Sequence, residues 1–337
     1  MEQSFDAAIL VGRFQPFHAG HARLLERALA VAPRVVIVLG SAFHARTAKN
    51  PFTWQERAEM IRDTLALEAR ARVTFAPVRD WYDDLKWSQA VEEAVLERVS
   101  PGSRCALVGC FKDQSSYYLR HFPRWALITV EPLSGLEAQH VRAEWFDATD
   151  PQRYLSALDA RLPVSVRRFA DAFSRTPEFE QLREEHRAIV QSRKTYGRGP
   201  FVTVDAVVTV NDRVLLVQRG RAPGKDLWAL PGGFLEPEES LVSGALRELR
   251  EETGLELAES ACADVAVFAH PARSLRGRII THAHYFPLGE LPELPVVKGA
   301  DDAAAAQWLP VSEVADAEQR FFDDHFHVLR RFLKGLN

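Results

Sequence analysis

The chain has 337 residues, more than one ordinary domain holds, and its 47% apolar content lets two domains each bury a core. Its formal charge of −4, from 42 basic and 46 acidic residues mixed along the chain, excludes the broad basic face of a general nucleic-acid binder and leaves room for local basic pockets. Three cysteines (Cys105, Cys110, Cys262) without CxxC spacing exclude a disulfide framework and a zinc ribbon, and no stretch reads as a secretory leader or as the roughly 20 apolar residues of a membrane span, so a cytoplasmic protein is expected.

The first half alternates two patterns. AAILVG (7–12) is a short apolar run ending in glycine, as buried parallel strands do. HARLLERALAVA (21–32) sets Leu24, Leu25, Ala28 and Leu29 on one helical face. RVVIVLGS (34–41) reads as a second strand. TWQERAEMIRDTLAL (53–67) reads as a helix, with Thr53 as N-cap and Glu56 closing a capping box. RVTFAPVRD (72–80), RCALVGC (104–110) and WALITVEP (125–132) add strands. Repeated β-α-β alternation predicts a doubly wound parallel sheet that binds ligands at the carboxyl ends of its strands.

Between the first strand and the first helix stands GRFQPFHAGH, with His18 and His21 three apart. They suit packed core imidazoles, metal ligands or phosphate-binding groups. A metal would need further ligands, and only His44 is at hand. A helix N-terminus carries unpaired N–H groups and partial positive charge, which suits phosphate. Gly20 lets the backbone approach closely, and Arg13 adds a permanent cation.

Residues from about 151 to 200 are helical and charged and close on GRGP, as a connector would. FVTVDAVVTV and RVLLVQRG then flank Asn211-Asp212 as a hairpin. LPGGF reads as a Gly/Pro-rich loop before a helix. Strands follow at about 264–270 and 278–288, AAQWLPVSEV reads as an edge strand running into a turn, and a helix is expected over 317–334, with Phe322, Phe326 and Leu329 on one face.

The strongest signal is GGFLEPEESLVSGALRELREETGL, which fits G-x5-E-x7-R-E-U-x-E-E-x-G-U without a gap. Val242, Ala245, Leu246 and Leu249 form an apolar stripe; Glu248, Glu251 and Glu252 lie at i, i+3 and i+4 on another face. Arg247 can reach Glu251 one turn on, and Gly254 ends the helix. Three crowded carboxylates need cations, and hard oxygen ligands select Mg²⁺ or Mn²⁺, which suits a pyrophosphate substrate. A solvated acidic face is the bland alternative. Residue types of roughly 5–7% frequency matching at every fixed Gly, Glu and Arg position make chance a poor explanation.

The stretch resembles the Nudix box of Mg²⁺-dependent hydrolases of nucleoside diphosphates linked to another group. The resemblance implies that Glu248, Glu251 and Glu252 hold metal or activate water, that Gly232 or Gly233 adds a carbonyl, and that Glu239 and Arg247 brace the loop, with Gly254 structural. RSLRGRIITHAHYF is similar to a segment of Nudix enzymes that cleave ADP-ribose to AMP and ribose 5-phosphate. Its Arg273, Arg276 and Arg278 would grip a diphosphate, unless they are plain surface charge.

The opening motif resembles the HxGH nucleotidylyltransferases. With RTAKNPFTWQER, VRDWYDDLKW and FKDQSSYYLRHFPRW it is similar to the archaeal-type nicotinamide mononucleotide (NMN) adenylyltransferases, in particular those fused to a Nudix domain. This implies that NMN and ATP give NAD and pyrophosphate by direct transfer, through positioning and charge stabilisation. His18, His21 and Arg13 would contact the ATP phosphates, with Lys49 where the family has Arg. Trp87 would stack on nicotinamide, unless it is a core residue, and Asp80 would lie near the amide. At SGLEAQHVRAEWF, Arg142 matches the family, but Glu137, Ala138 and Gln139 stand where hydroxyls bind triphosphate, and Ser134 is out of register.

The resulting expectation is α/β throughout. It places a Rossmann-like nucleotidylyltransferase domain at 1–175, a helical connector at 176–199 and a Nudix α/β/α sandwich at 200–337. The expected partners are ATP, NMN, NAD and ADP-ribose, with no nucleic acid and no membrane; a homo-oligomer is left open. Two alternatives stand beside it. The first domain could be a degenerate nucleotide-binding module, or the chain a nucleotide-sensing regulator; the complete glutamate set speaks against the latter.

Overall fold

The structure is a computed structural model that describes residues 5–111, 114–133, 135–334 and 336, without the side chains of residues 114, 115 and 117. The chain divides into two compact units, Met1–Arg183 and Glu184–Asn337. The division falls inside the expected connector, within one helix, rather than at either of its ends.

Unit 1 runs β1 (Ala7–Gly12), α1 (Ala19–Val31), β2 (Arg34–Leu39), α2 (Trp54–Arg62), α3 (Leu67–Arg70), β3 (Val73–Pro77), α4 (Asp84–Leu96), β4 (Cys105–Gly109), a 3-10 segment (Gln114–His121) and β5 (Ala126–Thr129), then α5 (Ala138–Asp147), α6 (Pro151–Ser156), α7 (Val164–Phe173) and the start of α8 (Pro177–Tyr196). The strands form one parallel sheet in the order β3-β2-β1-β4-β5. Both faces are covered, which is why β1 and β2 read as continuous apolar runs. Ala8, Leu10, Val35, Ile37 and Leu39 pack with Leu25 and Ala28 of α1 and Val141, Trp145 and Phe146 of α5. Ala7, Ile9, Val36, Val38 and Leu107 pack on the opposite face with Val91 and Val95 of α4. Each large side chain so buried contributes about 1.5–3 kcal/mol. The expected Rossmann-like sheet is therefore present, and its order reverses between β1 and β4, where such sheets bind ligands.

Two helix boundaries differ from expectation. The first helix begins at Ala19, two residues early, because its N-cap is His18. The second ends at Arg62, with Asp63 as its C-cap. The Thr53–Glu56 capping box is present: Thr53 Oγ1 accepts from Glu56 N–H at 3.3 Å, and Glu56 Oε2 accepts from Thr53 N–H at 2.8 Å. The first turns of α8 belong to the core of unit 1, through Phe179 and Leu182.

Unit 2 continues with β6 (Phe201–Val210), β7 (Arg213–Arg219), β8 (Trp228–Ala229), β9 (Gly232–Phe234), α9 (Leu241–Thr253), a 3-10 turn (Glu259–Ala261), β10 (Asp264–Phe268), β11 (Ile279–Pro287), β12 (Ala303–Pro310), α10 (Val311–Ala315), a second 3-10 turn (Glu318–Arg320) and α11 (His325–Phe332). The mixed sheet has the order β10-β11-β6-β7-β12, with β8 added to β7 and β9 to β6. β11 and β6 run parallel, and the other pairs antiparallel. β6 and β7 form the expected hairpin, with Asn211 in the left-handed region at φ 50°. The alternation of β6 sends Ala206 and Val208 toward Leu249 of α9. It sends Val207 toward Phe326 and Leu329 of α11 on the other face. This is the expected three-layer sandwich.

Two expectations for unit 2 need correction. LPGGF is not a loop throughout: Gly232 to Phe234 pair with β6 as β9, because β6 offers them a free edge of backbone groups. The last helix is His325–Phe332 and not 317–334. Phe322 is buried ahead of it, in the turn.

Removing the Thr53 hydroxyl takes one of the two reciprocal bonds from α2. Thr53→Ala is expected to destabilise unit 1 by about 1 kcal/mol, read as a shifted urea midpoint of its unfolding transition.

Candidate active sites

In unit 1, the loop from Gly12 to His18 returns the chain into α1. The N-cap His18 (φ −125°, ψ 173°) accepts the Gly20 N–H on Nδ1 at 3.1 Å. His21, on the first turn, accepts the His18 N–H on its own Nδ1 at 3.3 Å. HxGH is thus a capping box in which imidazoles replace the usual hydroxyl and carboxylate. The rings stack with centroids 3.6 Å apart and planes 20° apart. With both Nδ1 atoms accepting, each neutral ring carries its proton on Nε2. Two N–H donors are thereby fixed at the positive end of a helix. A Cβ on residue 20 would lie 3.0 Å from His18 Cε1, so glycine keeps the ring unpressed.

A group of guanidiniums surrounds this turn. Arg13 is exposed. Arg142 is buried; its Nε donates to the Ala48 carbonyl at 3.2 Å and its Nη1 donates to the Gln15 carbonyl. Burial, reinforced by the Arg13 charge, pushes the Arg142 pKa down to about 9, so it remains a cation at neutral pH. Gln15 is itself clamped to Phe52, donating to its carbonyl at 2.8 Å and accepting its N–H at 3.0 Å. Arg57 had no signal in sequence spacing, yet it is fully buried and ties four carbonyls together: Thr53 at 3.2 Å, Arg13 at 2.6 Å, Gly40 at 2.8 Å and Ser41 at 3.3 Å. It locks α2 to the loops that leave β1 and β2.

Asp80 follows β3. It accepts the Ser41 hydroxyl at 2.6 Å and lies 3.4 Å from His44 Nε2. Burial alone would raise its pKa, but His44, Ser41 and the Lys49 charge hold it well below the usual carboxylate range. Trp87 is half-buried on α4, edge-on to Tyr118 at 5.8 Å and to Phe122 at 5.9 Å. The Tyr118 hydroxyl donates to the Val11 carbonyl at 3.1 Å, which connects this aromatic group to the end of β1. Glu137 is the N-cap of α5 without a side-chain cap bond. Its carboxylate is turned to Gln139 Nε2 at 2.9 Å and to His140 at 4.0 Å, so the first N–H groups of α5 are not covered by it. Ser134 lies outside the described residues.

In unit 2 the acidic site hangs on Arg247. Its Nε donates to Glu239 Oε1 at 2.5 Å and its Nη2 to Glu239 Oε2 at 3.1 Å. Its Nη1 donates to Glu248 and to Glu251, each at 2.9 Å. Its Nη2 also reaches the Phe234 carbonyl at 3.2 Å. The Arg247 pKa is raised far above its ordinary value, first by the Glu239 hydrogen bond. Ser240 caps α9, and Gly254 ends it at φ 73°, its N–H donating to the Arg250 carbonyl at 2.8 Å. Glu251 is exposed, while Glu252 is buried and accepts the Gly232 N–H at 3.0 Å. Burial pushes the Glu252 pKa up to about 8; Glu248 and Asp205 add to this, against the Gly232 N–H and the Arg219 charge. Burial likewise raises Glu248.

Backbone contacts require glycine at residue 232, and at residue 233 a side chain would displace the Glu248 carboxylate. A Cβ on Gly232 would lie 2.4 Å from Asp205 Oδ1, and one on Gly233 2.3 Å from Glu248 Oε1. Asp205 is a carboxylate that the sequence reading passed over. It is buried in β6, its Oδ2 has no hydrogen-bond partner, and burial pushes its pKa up to about 7. A charged residue inside the apolar run FVTVDAVVTV was the available signal.

The three expected diphosphate arginines part ways. Arg273 is buried, with Nε and Nη2 on the Asp324 carboxylate at 2.8 and 2.7 Å and Nη1 on the Thr281 hydroxyl. Its donors are used inside the protein, which corrects its expected role to that of a brace. Arg278 gives Nη1 to the Ala269 carbonyl and is half-buried. Arg276 is half-buried, 3.4 Å from Asp323. Arg219 and Phe322, both missed, lie beside it.

Known proteins resemble this chain over both units. The NUDIX domain family matches residues 199–332, and the cytidylyltransferase-like family matches residues 9–93. A nicotinamide/nicotinic acid mononucleotide adenylyltransferase of Acinetobacter baylyi is 34% identical over 185 residues, covering 55% of this chain and 95% of that protein. An ADP-ribose pyrophosphatase of Methanocaldococcus jannaschii is 29% identical over 140 residues, covering 41% of this chain and 76% of that protein. A crystal structure from Francisella tularensis, of a bifunctional NMN adenylyltransferase/ADP ribose pyrophosphatase complexed with AMP and a Mn ion, is 32% identical with a TM-score of 0.87, covering 99% of this chain and 100% of that one.

The raised carboxyls give unit 2 a pH signature. Their folded pKa values, about 8 for Glu252 and about 7 for Asp205, exceed those of the unfolded chain, so the folded state binds more protons in between. That stability is present below the unfolded pKa and is lost as pH rises through the folded one. Without divalent cations, the melting temperature of unit 2 is expected to fall from about pH 5 to pH 8. Mg²⁺ should offset the fall, and Glu252→Gln should flatten it. Melting followed by circular dichroism across that range checks all three.

Proposed function

The chain belongs to the bifunctional NMN adenylyltransferase/ADP-ribose pyrophosphatases, and from that premise we propose how its own residues perform the two reactions. Unit 1 joins NMN and ATP into NAD and pyrophosphate; unit 2 hydrolyses ADP-ribose to AMP and ribose 5-phosphate.

In unit 1 the NMN phosphate oxygen attacks the α-phosphorus of ATP, the bond to the bridging oxygen breaks, and pyrophosphate leaves. No side chain needs to act as nucleophile, so the site works by holding both phosphates in line and stabilising the added charge. The observation that carries this reading is the imidazole capping box. On this reading the Nε2 donors of His18 and His21 meet the triphosphate at the helix end. Arg13 and Lys49 add positive charge, and the first N–H groups of α5 replace the hydroxyls missing at Ala138 and Gln139. Arg142 holds the Gln15 and Ala48 carbonyls and keeps the phosphate loop in shape. Asp80 receives the nicotinamide amide and the half-buried Trp87 stacks on the ring.

In unit 2 the residues fit a divalent cation. Carboxyls are crowded beyond what Arg247 alone neutralises, Asp205 Oδ2 is buried without a partner, and Gly232 and Gly233 form a cradle that any Cβ would fill. Divalent metals serve Nudix hydrolases; here we assign Mg²⁺ (or Mn²⁺) to Glu248, Glu251, Glu252 and the Gly232 carbonyl. When bound, the cation neutralises diphosphate charge and acidifies a water molecule. Glu251 and Glu252 share the work of ligand and of proton acceptor for the attacking water. Arg247 and Glu239 hold the loop against α9, and Gly254 lets the chain leave the helix. No helix among the described residues is long and apolar enough to cross a membrane, and we assign the enzyme to the cytoplasm.

The two sites should fail separately. Glu252→Gln is expected to lower ADP-ribose hydrolysis by more than about 100-fold while NAD still forms from NMN, ATP and Mg²⁺. His18→Ala should do the reverse. A folded Glu252→Gln protein that makes no NAD would reduce unit 1 to a nucleotide binder.

A further inference from the structure

Helix α2 turns a cation toward the core. Arg57 lies on its buried face with Ala58, Met60 and Ile61 and is itself fully buried. A charge so placed is costly unless its donors are satisfied. Burial pulls its pKa down to about 10, with Asp80 opposing the fall and Arg13 adding to it, so Arg57 is a cation at neutral pH.

Its donors go to particular carbonyls. Nη1 alone donates to the Arg13 carbonyl at 2.6 Å and to the Gly40 carbonyl at 2.8 Å. Each of these belongs to the peptide just before a non-glycine residue in the left-handed region: Phe14 at φ 53° follows Arg13, and Ser41 at φ 51° follows Gly40. A residue with a side chain is strained at such an angle, and it stays there only where its surroundings hold it. The orientation of the preceding planar peptide fixes φ, so one nitrogen atom holds both turns. Nη2 adds the Ser41 carbonyl at 3.3 Å, and the Gly40 N–H donates to the Gly12 carbonyl at 3.0 Å, which joins the two turns directly.

Each strained residue serves a different part of the unit 1 site. The Phe14 ring meets His21 edge-on, with centroids 4.8 Å apart and planes 72° apart. The Ser41 hydroxyl donates to Asp80 Oδ2 at 2.6 Å. Glycine would take either backbone angle without strain, but it would supply neither the ring nor the hydroxyl. Arg57 therefore stands behind both His21 and Asp80 without meeting either by a hydrogen bond of its own.

We propose that Arg57 is a positioning residue of adenylyl transfer, holding two strained turns that keep the phosphate-binding imidazoles and the nicotinamide-binding Asp80 in register. In-line transfer needs both substrates placed together, so a single tie behind the two turns acts on both. The role deepens the reading of unit 1 and rests on the parts given there to His21 and Asp80.

The test uses the full chain and steady-state NAD formation, with each substrate varied in turn. Arg57→Lys keeps the charge and loses the planar fork that reaches several carbonyls. It is expected to raise the KM of NMN and the KM of ATP by about 5-fold each and to lower kcat by about 10-fold, while ADP-ribose hydrolysis by unit 2 of the same chain is unchanged. Ser41→Ala, which touches one turn only, should raise the KM of NMN alone. A merely structural tie would lower the folded fraction, and with it kcat, and leave both KM values in place. Wild-type KM values for both substrates in folded Arg57→Lys therefore overturn the proposal, and so does a rise in only one of them. Arg57→Gln carries the same test if the lysine variant does not fold, as judged by circular dichroism. Two controls separate the levels. A wild-type chain that forms no NAD fails the reading of unit 1 itself, and Asp80→Asn with an unchanged KM for NMN fails the placement of Asp80. Where both controls behave as expected, the Arg57 variants decide the positioning role alone.

Discussion

The acidic site depends on one guanidinium. Arg247 gathers Glu239, Glu248, Glu251 and the Phe234 carbonyl at one point, so it joins the turn after β9 to the helix that carries the carboxylates. Without it, Glu248 and Glu251 would repel one another across a helical turn, and the turn would lose its anchor. Burial raises the Glu248 pKa despite this contact, and it also raises two carboxyls that Arg247 does not touch. Glu252 and Asp205 are buried beyond its reach, and that burial is the first cause of their raised pKa values, with neighbouring carboxylates adding to it.

The two units meet the same chemical group, a chain of phosphates, with opposite inventories. In the proposed sites, unit 1 collects donors and cations directly: two imidazole N–H groups, helix ends, Arg13 and Lys49. Unit 2 collects anions first and leaves a divalent cation to invert the sign, with arginines only at its edge. The difference suits the reactions. Adenylyl transfer uses a phosphate as nucleophile, and a positive surround brings two anions together. Hydrolysis must instead make water nucleophilic, which carboxylates and a cation do and arginine cannot.

Much of this was legible in the sequence because it is local. The periods of the first half predict the parallel sheet that is observed, and the spacing from Gly233 to Gly254 predicts the helix that carries Glu248, Glu251 and Glu252 and ends at Gly254. What escaped was set by distant contacts. Arg57 reads as an ordinary helical arginine, yet its burial under two loops makes it a tie. Arg273 looked like its neighbours Arg276 and Arg278, and only the approach of Asp324 from the last turn shows that it is used internally. Arg219 and Phe322 stand far apart in the chain and meet only in the fold, and no spacing rule joins them. The early start of α1 escaped because histidine is not an expected N-cap.

That last feature separates folding from chemistry in an unusual way. The helix end needs acceptors at His18 and His21, while the proposed chemistry would use the donors on the far side of the same rings. Asparagine or serine at residue 18 could supply the first and not the second. A lineage relieved of the need to make NAD could therefore drift at these positions and keep an intact fold. Its descendants would carry a silent unit 1 in front of a working hydrolase, recognisable by a cap that still closes the helix and no longer faces outward with a proton.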